Sequence, residues 1–296
     1  MTYAGTFTII ARDPATGRLG IGTQSKVIAV GAAVPWAAAT VGAVATQAWS
    51  NPLHGPRALE LLRHDVAPDE VIRELLHDDE ARSIRQIGLI DASGRSAAYT
   101  GPRCIPWAGH VIRDDLICLG NILVGEEVVA RMADAFAGAE GDFVERLVAA
   151  LAAGQEAGGD RRGRESAALL VVREQGDDKG IGDREVDLRV DLHADPIGEV
   201  ARLLHERRGR APKIIGTEIM VDQNVALRLQ ASLAGLGFYT DPLTFRWDER
   251  TQDAFRRFCS DEGLPAPAPG ADSVDVAAYE RLWARYLMDR LAGNEA

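Results

Sequence analysis

Gly5-Thr6-Phe7-Thr8-Ile9-Ile10-Ala11-Arg12 and Gly20-Ile21-Gly22-Thr23-Gln24-Ser25-Lys26, separated by Asp13-Pro14-Ala15-Thr16-Gly17, decide how this chain folds. The β-branched residues favour extended backbone, and Pro and Gly sit where a tight turn wants them. Two strands are expected, over residues 5–11 and 18–23. No basic segment leads into a long apolar run, so a secretory leader is not expected. The Gly-Thr dipeptide at the strand head also carries a chemical option. A threonine that begins a chain holds a hydroxyl nucleophile and an α-amine base in one residue. That amine has an ordinary pKa of about 8, close to working pH. The plainer reading is a Thr- and Ile-rich strand without chemistry.

Residues 27–46 are small and apolar, the pattern of strands covered on both faces. Helices are expected over 55–64 and 68–78, and strands over 86–91 and 96–100, joined by the turn Ala92-Ser93-Gly94-Arg95. A further strand fits 116–120. Val124, Val128, Val129, Met132 and Phe136 form one helical stripe, and Phe143, Leu147, Val148 and Leu151 another. Strands return at 166–173 and 185–191, and Ile197, Val200, Leu203 and Leu204 mark a helix. Strands and helices thus come in blocks, which favours antiparallel sheets with helix layers outside them. No Gly-x-Gly-x-x-Gly or P-loop is present. The basic segment Glu206-Arg207-Arg208-Gly209-Arg210-Ala211-Pro212-Lys213 reads as a boundary, dividing the chain into domains at 1–208 and 209–296. The second domain reads as wholly helical. Its stripes are Val225, Leu229, Leu233 and Leu236, then Phe255 and Phe258 behind an Asp248 N-cap, then Val276, Tyr279, Leu282, Trp283 and Tyr286.

The 296 residues are 46% hydrophobic, enough for a sizeable core. The net charge of −11 and the lack of a basic tract argue against nucleic acid and anionic membrane as partners. No apolar stretch reaches the roughly 20 residues of a membrane span. The three cysteines, Cys104, Cys118 and Cys259, are odd in number and widely spaced, which suits a reducing compartment and a cytoplasmic location. Lys26, Lys179 and Lys213 are the only lysines, so Lys26 stands out.

Several ordered segments together resemble the bacterial domain-of-unknown-function family 1028, over residues 5–205. They are Thr6 to Pro14, Gly20 to Lys26, Val34-Pro35-Trp36-Ala37, Gly42-Ala43-Val44-Ala45-Thr46-Gln47, Gly120-Asn121-Ile122-Leu123 and Gly158-Gly159-Asp160-Arg161-Arg162-Gly163. That family is grouped with the N-terminal-nucleophile hydrolases. The resemblance implies an α+β fold, a four-layer αββα sandwich, followed here by a small all-helical domain. Leu236-Gly237-Phe238-Tyr239 and Trp247-Asp248-Glu249-Arg250-Thr251 resemble a small peptidoglycan-binding domain sometimes fused to the family. Family members often begin at the threonine that matches Thr6. Here Thr6 follows Gly5, so a free Thr6 amine requires cleavage of the Gly5–Thr6 bond. Removal of Met1 alone would expose Thr2 instead.

Around Thr6, Lys26 is a candidate to lower the amine pKa or steady an anion, with Gln24 and Ser25 beside it. In Thr46-Gln47-Ala48-Trp49-Ser50-Asn51, the end of a strand before a helix, Asn51 is the preferred oxyanion donor and Gln47 a substrate contact. His54 is a candidate to line the same pocket, although a helix start also explains Asn51 and a lone histidine is more often structural. Asp160 and Ser166 bracket a Gly- and Arg-rich turn; proteasome-like proteins orient their nucleophile with such a pair. Arg161 and Arg162, with Arg164, could grip a carboxylate. Cys104, His110 and Cys118 lack zinc spacing, and Asp187, Asp191, His193 and Asp195 read better as a polar strand end than as a metal site, so no metal or cofactor is expected. The expected activity is hydrolysis of a small amide or peptide-like substrate by Thr6, in a homo-oligomer whose tail takes cell-wall fragments. The competing reading is a non-catalytic binding or scaffold protein on the same fold.

Overall fold

This computed structural model describes residues 5–177, 180–209 and 214–292. Thr2, Lys179, Lys213 and the Arg210–Lys213 part of the basic segment lie outside the described residues. The chain divides into two compact units, Met1–His205 and Glu206–Ala296.

The first unit opens with β1 (Thr6–Arg12), β2 (Leu19–Ser25), β3 (Pro35–Ala38) and β4 (Gly42–Ala48). Helices α1 (His54–Arg63) and α2 (Pro68–His77) precede β5 (Arg85–Asp91) and β6 (Ser96–Thr100). Then come β7 (Gly109–Arg113), β8 (Leu116–Asn121), α3 (Glu127–Gly138) and α4 (Phe143–Glu156). β9 (Ser166–Val172), β10 (Arg184–Val190) and α5 (Pro196–Gly209) complete the series. One sheet runs β10-β9-β2-β1-β8-β7 and another β3-β4-β5-β6, antiparallel throughout.

Alternation along the strands sorts the side chains. Phe7, Ile9 and Ala11 share a core with Cys118, Leu169 and the α3–α4 residues Met132, Phe136, Leu147 and Leu151. Ile10, Leu19 and Ile21 point the other way and meet Ala43, Ala45 and Ile90 of the second sheet. Val44, Ile87 and Leu89 on that sheet's far side pack with Ala58, Leu62, Val71 and Leu75 of α1 and α2. Gly20 lets α4 approach closely: a Cβ there would lie 2.5 Å from Leu147 Cδ1. Toward one end the layer between the sheets turns polar while staying buried. Thr8, Thr23, Gln47 and Gln86 replace the aliphatic residues, and then Thr6, Ser25 and Asn121. Buried polar groups are costly unless partnered, so this end needs a hydrogen-bonding explanation.

Three expectations for the first unit change. β7 is missed by sequence patterning because its residues are half-exposed and show no clean alternation. Residues 27–46 are interrupted by a 3-10 turn at Val30–Ala32 and by the half-buried β3, so they are not one fully covered run. Val124 is 52% exposed and precedes α3 rather than joining its stripe.

The second unit is helical with a small sheet, not wholly helical. β11 (Ile214–Ile215), β12 (Glu218–Met220), α6 (Gln223–Gly235), α7 (Glu249–Glu262), β13 (Ser273–Asp275) and α8 (Val276–Ala292) come in that order, and the three strands pair as β11-β12-β13. Strands this short leave no periodic trace in sequence. Leu229, Leu233, Phe255, Phe258 and Leu282 form the core of this unit. Asp248 caps α7 as expected, its Oδ1 accepting from the Thr251 N–H at 2.9 Å. Among the described residues, no helix is long and apolar enough to cross a membrane.

Candidate functional site

Strand register assembles the site from four distant parts of the chain. Thr6 on β1 lies opposite Ser25 on β2 and Asn121 on β8, and Ser25 lies opposite Ser166 on β9. Ser166, Ser25, Thr6 and Asn121 therefore form one row across the sheet, all at most 1% exposed.

The hydroxyls form a chain that ends on the peptide bond before Thr6. Thr6 Oγ1 donates to Ser25 Oγ at 3.2 Å, and Ser25 Oγ donates to the Gly5 carbonyl oxygen at 2.5 Å. The same carbonyl accepts from Arg162 Nη2 at 3.3 Å. A hydroxyl and a guanidinium thus polarise one carbonyl, the arrangement that stabilises an oxyanion.

Asp160 holds this corner together. It is 2% exposed and accepts four hydrogen bonds. Oδ1 takes the Arg162 backbone N–H at 2.9 Å and Nε at 3.2 Å; Oδ2 takes Arg162 Nη2 at 2.9 Å and the Lys26 N–H at 3.2 Å. Charge pairing and these bonds offset the cost of burying the carboxylate. A Cβ on Gly5 would lie 2.6 Å from Asp160 Oδ2, so only glycine fits before Thr6 without displacing the carboxylate. The loop is pinned to the end of β8 by a bridge between Asp160 and Leu123 and by Arg161 N–H on the Ile122 carbonyl at 2.9 Å.

A second network lies toward the other sheet. Thr8 Oγ1 donates to Gln47 Oε1 at 2.6 Å, and Gln47 Nε2 donates to Gln86 Oε1 at 2.9 Å and to the Thr6 carbonyl at 3.4 Å. Gln86 Nε2 faces two backbone carbonyls, Gly120 at 2.8 Å and Gly109 at 3.1 Å, and Thr100 Oγ1 at 3.0 Å. Carbonyls only accept, which fixes that amide's orientation. Gln86 Oε1 must then accept, and it does so from Asn121 Nδ2 at 3.0 Å as well as from Gln47.

The sequence candidates divide accordingly. Thr6, Ser25, Asp160 and Arg162 converge, with Gln47 on the Thr6 carbonyl. Lys26 contributes its backbone N–H, while its Nζ lies 3.9 Å from Glu165 Oε2. Arg161 has an exposed side chain. Ser166 belongs to the row, but its hydroxyl donates to the Val27 carbonyl and accepts from the Val30 N–H, shaping that loop instead of contacting Thr6. Gln24 points away from Thr6: alternation on β2 places it with Gly20 and Gly22 on the α4 side, where both its amide atoms lack partners among the described residues. Asn51 closes the turn before α1, Oδ1 accepting from the Leu53 N–H at 3.0 Å. His54 sits with a different group: Nε2 lies 3.4 Å from Asp79 Oδ2, and Arg85 Nε donates to that oxygen at 2.7 Å. Burial pushes the His54 pKa down, and the Arg85 hydrogen bond holds the Asp79 carboxyl below the usual carboxylate range.

Cys104, His110 and Cys118 do not converge. Cys118 is in the core with α3, where burial pushes its thiol far up, and His110 Nδ1 shares a hydrogen bond with Thr100. Asp187, Asp191 and Asp195 pair with Arg184, Arg189 and Arg164. The residues missed from sequence are Asn121 and Gln86. A glutamine inside the buried strand Arg85–Asp91 was the available signal.

A family model described as "Family of unknown function (DUF1028)" matches residues 6–200. The chain belongs to this family. The crystal structure of protein SPO2555 from Silicibacter pomeroyi, a DUF1028 protein, is similar to this chain at 32% identity and a TM-score of 0.63. The match covers 68% of this chain and 85% of that one. A model described as "Putative peptidoglycan binding domain" matches residues 217–280. No curated protein matches the chain.

Proposed function

We propose that this DUF1028 protein is an amide-bond hydrolase of the N-terminal-nucleophile type, with Thr6 as nucleophile, on a four-layer αββα sandwich. The observation that carries the reading is the Gly5 carbonyl, held by Ser25 Oγ and Arg162 Nη2 one hydrogen bond from Thr6 Oγ1.

The first reaction is on the chain itself. Thr6 Oγ1 attacks the Gly5 carbonyl carbon while its proton passes to Ser25 Oγ, whose own proton moves onto the Gly5 oxygen. The C–N bond then breaks as the proton on the Gly5 oxygen leaves and the Thr6 nitrogen takes it up, so that the carbonyl reforms and Gly5 is left esterified to Thr6 Oγ1. Water hydrolyses the ester, and Thr6 gains a free α-amine beside Asp160. In turnover, Thr6 Oγ1 attacks a substrate amide carbon and gives its proton to that amine. The amine protonates the leaving group, and water releases the acid from the acyl-enzyme. The substrate is a small amide or peptide-like compound. The peptidoglycan-binding match over 217–280 supports cell-wall fragments as its source.

The test is the intact mass and N-terminal sequence of purified wild type and Thr6→Ala. Wild type starting at Thr6, with Thr6→Ala retaining Gly5, is expected. A wild-type chain that keeps Gly5 overturns the mechanism and leaves a binding role.

A further inference from the structure

We propose that a slot on the free edge of β3 binds a short peptide, two or three residues in extended conformation, by strand addition. The site stands apart from Thr6 and does not depend on its chemistry.

Strand order leaves the space. β3 is the edge of its sheet and stands over β2 and β9. The first sheet runs one strand further, to β10. The place beside β3 and over β10 is a slot of about 250 Å³, close to the roughly 300 Å³ at which small-ligand sites begin. Pro35, Trp36 and Ala37 form its edge, Ala168 and Leu170 its floor, and Leu59 of α1 lies across from that floor. Both ends are bounded. The Ala39 N–H donates to Asp183 Oδ2 at 3.0 Å just before β10, and the Ala29 N–H donates to the Asp191 carbonyl at 3.0 Å just after it. Three residues of strand span about 10 Å, which holds the ligand to the length of a tripeptide.

Alternation along β3 supplies the recognition. The Thr46 N–H donates to the Val34 carbonyl at 3.2 Å. The register then pairs Trp36 with Val44 and Ala38 with Gly42 through the ladder, and turns the N–H and C=O of Ala37 outward to the slot. Neither group has a hydrogen-bond partner among the described residues. One residue of an antiparallel peptide fills both, its N–H on the Ala37 carbonyl and its C=O on the Ala37 N–H. Its side chain then falls on the face of Ala37, which packs toward Leu170, so a small apolar group fits. The remaining contact is charged. Arg189 lies along the slot beside Gly31, where a Cβ would stand 2.9 Å from its Cγ. Its Nε and Nη2 donate to Asp191, and its Nη1 has no partner among the described residues. Asp187, the acidic wall, is neutralised by Arg184. The complement is a peptide with a small central side chain and a C-terminal carboxylate for the Arg189 fork.

The experiment is calorimetric titration of the full chain, with Thr6→Ala in every sample so that no probe is turned over. The probes are L-alanyl-L-alanyl-L-alanine, its C-terminal amide, and the tripeptide N-methylated at its central residue. This parent chain is expected to bind the first probe about tenfold more tightly than either of the others, the scale of one hydrogen bond at a charged or backbone pair. Adding Arg189→Gln is expected to abolish the preference for acid over amide and to keep the preference for N–H over N-methyl. Adding Ala37→Pro deletes the outward N–H without touching a ladder bond, the edge position that proline tolerates, and is expected to weaken the free tripeptide by about threefold to tenfold. The N-methylated probe tests the same contact with no change to the chain. Equal binding of the amide or of the N-methylated probe by the parent, no saturable binding of any probe, or an unchanged acid preference with Arg189→Gln overturns the proposal. A parent chain that sediments as a dimer and becomes monomeric with Ala37→Pro assigns the edge to a second copy, and overturns it as well.

Discussion

The Gly5–Thr6 bond draws its chemistry from two contacts a few ångströms away. In the proposed cleavage Ser25 carries the proton between Thr6 Oγ1 and the Gly5 oxygen, so Ser25→Ala is expected to slow it by about 10²-fold or more, the scale of one acid–base group. Time-resolved intact mass on freshly expressed protein measures this. Gly5→Val puts a side chain where Asp160 Oδ2 stands, and it too is expected to block cleavage while the fold persists. Retention of residues 1–5 in a chain that still unfolds cooperatively, at a lowered melting temperature, is the expected pair of results. Thr6, Ser25, Asp160 and Arg162 were legible in sequence because they fall in short strings that resemble the family. Asn121 lies in such a string too, and Gln86 is marked only as a glutamine in a buried strand; the role of each depends on cross-strand pairing such as Gln47 with Gln86, which the string alone does not encode.

Among the elements, β5 joins the two sheets chemically through Gln86. Gln86→Ala strips partners from the Gly109 and Gly120 carbonyls, from Gln47 and from Asn121, all at once. The expected cost is about 2–5 kcal/mol, because buried groups are left unpaired. Denaturant unfolding of the variant against wild type reads it. The end of α2 and the start of α1 predict a pH effect. The His54 pKa is lowered in the fold, so on acidification the unfolded chain takes up the proton first. Stability is expected to fall as pH drops below the ordinary histidine value of about 6.5. His54→Gln flattens that part of the profile, which denaturant midpoints between pH 7 and 5 measure. Elements with strong patterns were readable: the β1–β2 hairpin, the α3 and α4 stripes, and the Asp248 cap. β7 and the two- and three-residue strands of the second unit were not, because half-exposed or very short strands carry little periodicity.

At the scale of the whole molecule, each unit has its own core. The second is built on Leu229, Leu233, Phe255, Phe258 and Leu282. A chain of residues 206–296 is expected to unfold cooperatively by itself, with Phe255→Ala costing about 3–5 kcal/mol. Circular dichroism melts test both statements, and a fragment without a cooperative transition contradicts them. The proposed activity depends on whether Thr6 becomes the first residue. The direct measurement is the intact mass and N-terminal sequence of freshly purified wild type beside Thr6→Ala. The account predicts that wild type begins at Thr6 and that Thr6→Ala still carries Gly5. A wild-type chain with Gly5 in place would contradict it.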